Sequence, residues 1–193
     1  MPTSAEKKLT AGRGGYEVIM QKLTNERGVH AETAIACAGR MAGTFMLRSC
    51  RLPMDHLEPG MPVLSDAANE KGPYLTDLLQ MALTQMNINI NPNCGEDVLA
   101  GRDAPQISVL ETQRLLENDF RQIMRKYQLN DEEASHAATF TTAFMVQACG
   151  GVIEPQSAFQ YAIYSMVEGS KTVPQRLAAD ANGEAKKPWY KVW

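Results

Sequence analysis

Between Val29 and Cys50 the chain has no polar face. Alanine, methionine and leucine follow one another with few breaks, and Ala34, Ala38 and Ala42 recur at four-residue spacing beside the Gly39-Arg40-Met41-Ala42-Gly43 run. A helix that is apolar around most of its circumference must be enclosed by other elements. Its most apolar run, roughly Thr33 to Leu47, is interrupted by Arg40 and is shorter than the ~20 residues a membrane-spanning helix needs, so the enclosure expected is protein and not lipid. The small side chains form a groove that lets another helix approach closely. Gly39, Gly43, Ala38 and Ala42 are therefore candidates for close helix packing. The expected partner is internal, with the fifth helix favoured over the same helix of a second copy.

The region from Asn130 to Gly151 repeats this character. Asn130 and Glu133 have the spacing of a helix start, the acids at 131 to 133 suit the positive end of a helix dipole, and Ala134, Ala137, Ala138, Phe140, Phe144 and Met145 leave little polar surface. Around these two central helices, roughly 29–50 and 131–149, the three-and-four spacing of apolar residues predicts four more. Tyr16, Ile19, Met20 and Leu23 mark the first, ending near Gly28. Pro73 is placed as a first-turn residue for Leu75, Leu78, Leu79, Ala82, Leu83 and Met86. Ser108 and Glu111 have capping-box spacing ahead of Leu116, Phe120, Ile123 and Tyr127. Pro155 opens the last, with Phe159, Ala162, Ile163 and Met166 on its core stripe and Gly169 and Pro174 ending it.

Two long connectors separate these elements. Residues 51–72 hold Pro53, Pro59, Gly60 and Pro62, and residues 87–106 hold Pro92, Gly95, Gly101 and Pro105. The second opens on an Asn-Ile-Asn-Ile-Asn alternation, a candidate short strand. The expectation is an all-α domain, an irregular bundle of about six helices, over residues 16–173. A flexible glycine-rich lead-in occupies residues 1–15, and an aromatic C-terminal tail follows over residues 174–193.

Composition narrows the function classes. Nineteen basic and twenty-two acidic residues give a formal charge of −3, which argues against broad nucleic-acid binding or attraction to an anionic membrane. The four cysteines include no CxxC pair, so free thiols in a reducing cytoplasm are expected, and Ala11 to Gly15 after Lys7 and Lys8 do not form the apolar stretch of a signal peptide.

Three local patterns bear on chemistry. Gln147-Ala148-Cys149-Gly150-Gly151 satisfies a short signature around the nucleophilic cysteine of caspase-like proteases. That chemistry needs a histidine about fifty residues upstream, whereas His136 lies thirteen residues before Cys149 and His56 over ninety, so a buried cysteine before a glycine stop is the expectation. Glu133 and His136, at i and i+3, share one helical face as metal ligands do in di-iron bundles. With His30 and Glu32 they make a candidate irregular metal site, although Glu133 also sits where a capping carboxylate belongs. The tail gathers Trp189, Tyr190 and Trp193, side chains favoured as interface anchors.

No phosphate loop, nucleophile elbow, zinc-binding helix or dinucleotide fingerprint is present, and no cofactor is expected. The leading expectation is a helical domain that binds another protein or itself, as a homodimer, without catalysis of its own. The alternatives are a metal-dependent helical enzyme around Glu133 and His136, and a helical pocket for a small apolar ligand suited to the eleven methionines.

Overall fold

A computed structural model describes residues 2–91 and 103–176. Among them the chain is all-helical: α1 (Ser4–Leu23), α2 (Ala31–Ser49), α3 (Asp66–Gln85), α4 (Val109–Lys126), α5 (Asp131–Ala148) and α6 (Pro155–Ser170). None of these helices is long and apolar enough to cross a membrane.

The helix starts follow local chemistry. Full capping boxes open α1 at Thr3 with Glu6, α4 at Ser108 with Glu111, and α5 at Asn130 with Glu133. In each the cap oxygen satisfies one orphan N–H while the glutamate reaches back to the cap's own N–H. His30 caps α2 through its ring, accepting from Thr33 N at 3.3 Å, and Pro155 occupies the first turn of α6, where no N–H is missed.

Helix α2 is the axis of the bundle. Every residue from Thr33 to Leu47 is buried, and α2 packs against each of the other five helices. Helix α5 is the second buried helix and touches α1, α2, α3 and α6. The main apolar cluster joins all six helices through side chains such as Ile19, Ile35, Phe45, Leu79, Phe120, Met145 and Phe159.

The small residues of α2 do meet an internal partner, but for the glycines it is α6 and not the favoured α5. A Cβ on Gly39 would lie 2.6 Å from the Ala162 carbonyl oxygen. One on Gly43 would overlap the Met166 carbonyl, and one on Gly169 would overlap that of Arg40. Backbone touches backbone here, so these atoms cannot move aside. Ala38 and Ala42 are fully buried within the same helix.

Residues 4–15, read above as part of a flexible lead-in, are instead helical in α1. Gly12 and Gly15 of the Gly12-Arg13-Gly14-Gly15 run serve a close approach to α5. A Cβ on Gly12 would meet the Ala137 carbonyl at 2.7 Å, and one on Gly15 would meet Thr141 Oγ1 at 2.5 Å. Thr141 Oγ1 donates to the Gly12 carbonyl at 2.8 Å across that contact. Helix propensity disfavours these glycines by about 1 kcal/mol each, and tertiary contact overrides it.

Two further expectations change. Helix α3 begins at Asp66, capped by Ser65, and Pro73 lies inside it. The helix tolerates the lost donor because Ala68 on one side and Leu75, Leu78, Leu79, Ala82 and Leu83 on the other anchor it to the core. The Asn-Ile alternation forms no strand, because no neighbouring strand among the described residues is there to pair with it. Ile88 and Ile90 pack on the core, and the Gln156 side chain takes the role of a strand partner, donating to Asn91 O at 2.9 Å and accepting from Asn91 N at 2.8 Å.

The first connector folds back on the chain leaving α6. Gly60 N donates to Val173 O, Val173 N to Met61 O and Val63 N to Lys171 O, all at 2.8 to 2.9 Å. A satellite apolar cluster of Leu47, Val63 and Val173, with Leu52, Met54 and Leu57 against it, fills the space beneath.

The glycine contacts make a paired test. Gly43→Ala is expected to destabilise the fold by about 3 kcal/mol, since an added methyl meets immovable backbone. Gly14→Ala, whose new Cβ would sit at an ordinary 3.4 Å from the Ile123 side chain, is expected to stabilise it by about 0.5 to 1 kcal/mol. Urea unfolding of both variants reads the two signs.

Candidate functional site

The suggested metal set is split between the two ends of the bundle. Glu133 closes its capping box, Oε2 accepting from Asn130 N at 3.1 Å, while Oε1 accepts from Ser4 Oγ at 3.4 Å. His136, one turn on, is half-buried with its ring tilted against Tyr74 at 5.0 Å between centroids. His30 is committed to its own helix start, Nδ1 lying 2.8 Å from Thr33 Oγ1 and Nε2 3.6 Å from Glu32. Glu32 is close enough to Cys149, just past the far end of α5, to add to the effect of burial in pushing that thiol up to about 11. The sixteen residues from Glu133 to Cys149 span about 24 Å of helix. Among the described residues no three His, Cys, Asp or Glu side chains converge on a metal-sized site.

Cys149 itself caps the C-terminus of α5 and is buried. With its pKa at about 11 it is a thiol at neutral pH, as is Cys37, which burial also raises to about 11. His136 is on the same helix, about 20 Å along the axis. The pair is not a nucleophile and its base.

Around His136 lies a hollow of about 350 Å³ between α3 and α5, bounded by Lys71, Tyr74, Glu132 and Ser135. His136 Nδ1 is buried there without a hydrogen-bond partner. Burial, helped by Lys8 and Lys71, holds the ring's pKa below the ordinary histidine value, while Glu132 and Glu133 oppose the shift.

A polar seam between α2 and α4 has no counterpart among the sequence-derived candidates. Glu117, almost fully buried, holds two arginines: Arg48 Nη2 donates to Oε2 at 3.0 Å and Arg121 Nε to Oε1 at 3.2 Å. Arg40 donates from Nε to Glu168 Oε2 at 2.9 Å and from Nη1 to the Ile107 carbonyl at 2.6 Å, tying α2 to α6 and to the approach of α4. Between them Gln113 Nε2 donates to Thr44 Oγ1 at 3.1 Å. The signal in the sequence was the placing of Arg40 and Arg48 in an otherwise apolar helix, since a buried cation requires a buried partner.

On the opposite side of α3 an apolar groove of about 420 Å³ runs between α3 and α6. Met46, Pro73, Leu75, Ile163, Met166 and Val167 supply its apolar surface, with Asp77 and Lys171 among its polar positions. Four large side chains of α3 and α6 remain exposed: Tyr74 at 54%, Met81 at 50%, Tyr164 at 59% and Val167 at 44%. Asp77 and Met81 share a face of α3, and Tyr164 and Val167 share a face of α6, so apolar surface continues along the groove. Trp189, Tyr190 and Trp193 lie outside the described residues.

No family model, no curated protein and no solved structure matches this chain.

Two outcomes follow from the buried charges. Glu117→Gln leaves two guanidinium groups without their shared anion and is expected to cost about 3 to 5 kcal/mol in denaturant unfolding. For His136 the folded state binds a proton less readily than the unfolded chain. Its contribution to stability is therefore intact above pH 6.5, the ordinary histidine value, and is lost as pH falls through the lowered folded value. His136→Gln is expected to flatten the decline in stability below pH 6.5, measured by urea unfolding across a pH series.

Proposed function

We propose that this chain is a protein-interaction domain without catalytic activity of its own, and that it associates with a second copy by seating an aromatic tail in the α3–α6 groove. The observation that carries the reading is the apolar groove, with Val167 on its lining and the exposed Met81 and Tyr164 one helical turn from the lining residues Asp77 and Val167. A surface of this kind is costly to leave in water and is characteristic of places where another chain docks. Tryptophan and tyrosine are the side chains that most often anchor such contacts, and the chain carries Trp189, Tyr190 and Trp193 within its last five residues.

Chain length and charge support the pairing. The described part ends at Arg176, six residues after Ser170 on the groove wall, and the twelve residues 177–188 can span up to about 40 Å. Lys186, Lys187 and Lys191 flank the aromatic residues, and Asp77 on the groove offers them a counter-charge.

Light scattering after size exclusion on the full chain and on a chain ending at Pro188 is the direct test. The full chain is expected to give a concentration-dependent dimer, and loss of the last five residues, or Val167→Asp, to weaken it at least about tenfold with the melting temperature unchanged. A mass that both changes leave untouched would sink the reading.

A further inference from the structure

A second concavity, of about 530 Å³, lies where α2 ends, beneath the first connector and against the segment leaving α6. Four arginines line it: Arg48 and Arg51 from the end of α2, Arg121 from α4 and Arg176 from the chain after α6. Leu52, Met54 and Leu57 of the connector provide an apolar wall, and Asp55 and Asp131 are the acids on its lining.

The fixed charges are not all spent on one another. Glu117 sits under the cleft and serves both Arg48 and Arg121 with one carboxylate. Arg121 lies over the Phe45 ring at 5.5 Å, which fixes its plane, and reaches Asp131 only at 3.6 Å, beyond hydrogen-bond length. Arg176 is 3.8 Å from Glu58, a loose and exposed pair. Arg51 is exposed and has no ion-pair partner among the described residues. Arg48 also donates from Nη2 to the Gln175 carbonyl at 2.7 Å, and Arg176 from Nη2 to the Asp55 carbonyl at 3.5 Å. A guanidinium has five N–H donors, so these contacts do not use all those of the four arginines. The Gln175 side chain also lines the cleft, and its Nε2 is buried without a hydrogen-bond partner.

We propose that this cleft is a binding site for a phosphate group carried on a small organic molecule. Two of the four guanidinium groups, on Arg48 and Arg121, are preorganised by Glu117 and Phe45, and the exposed two complete the cradle. Planar, fixed donors of this kind recognise oxyanions with paired hydrogen bonds. A single carboxylate uses one fork, whereas a phosphate offers three acceptor oxygens to several, which is the match to a site ringed by four. The wall of Leu52, Met54 and Leu57 suits the organic part. The site is independent of the groove proposed above, so either can fail alone.

Titration calorimetry of the full chain with inorganic phosphate, and separately with malonate, tests it at fixed ionic strength and neutral pH. Saturable phosphate binding is expected, at least about tenfold tighter than malonate, and reduced at least about tenfold by the double change Arg51→Glu with Arg176→Glu. Both residues are exposed and lie outside the buried seam, so the variant is expected to keep the parent's melting temperature, which is measured alongside. Arg51→Lys with Arg176→Lys keeps the charge and loses the fork, and is expected to bind with intermediate affinity. No saturation up to about 10 mM phosphate, equal affinity for malonate, or undiminished binding by the double glutamate variant overturns the assignment.

Discussion

A helix without a solvent face has to be surrounded, and the rest of this fold is the means of surrounding α2. All five other helices pack on it. The closest of these contacts, with α6, depends on what is missing at Gly39, Gly43 and Gly169, where a single methyl would strike a carbonyl. Apolar burial supplies the driving force but is non-directional, so it does not by itself select one arrangement of six similar cylinders. The direction comes from the few polar side chains carried inside. Arg40 joins α2 to α6 and to the residue before the α4 cap, and Arg48 joins it to Glu117 on α4. Sliding either neighbour by one turn would leave an arginine buried without an anion, a far larger penalty than a mismatched methyl.

Much of this was legible in the residue order, and the parts that were not share a cause. Capping boxes are local, so Ser108 with Glu111 and Asn130 with Glu133 announced two helix starts directly. The glycines at 39 and 43 announced a close approach, but α6 as their partner depended on Gly169, whose sequence context reads as a helix stop. The same difficulty hid α1. Gly12 and Gly15 look like flexibility until Thr141 and Phe120 are placed against them, and nothing within residues 1–15 names those neighbours. Pro73 misplaced the start of α3 because a proline is a strong first-turn signal, while the anchoring of α3 by core leucines is a tertiary fact.

The candidate sites divide in the same way. That Glu133 and His136 share a face is a property of helix geometry and holds. Whether His30 and Glu32 join them is a matter of how α2 and α5 are packed, and these helices place the two pairs at opposite ends. The cleft of four arginines was invisible for the opposite reason: Arg48, Arg51, Arg121 and Arg176 are scattered in sequence and are assembled only by the fold. The segment leaving α6 connects the two surfaces of interest, since Ser170 and Lys171 border the groove and Val173 to Arg176 border the cleft.

The central position of α2 also has a consequence in time. Its contacts with α6 join residues as far apart as Arg40 and Glu168, a separation of 128 positions. A ribosome adding about 5 to 20 residues each second takes on the order of ten seconds to cover that interval. Throughout it α2, buried from Thr33 to Leu47 in the finished fold, lacks the helix that covers its glycine face. Helices α3, α4 and α5 are made during that interval and can cover its other faces. Closure of the glycine face of α2 therefore waits on α6, the last of the described helices to be translated.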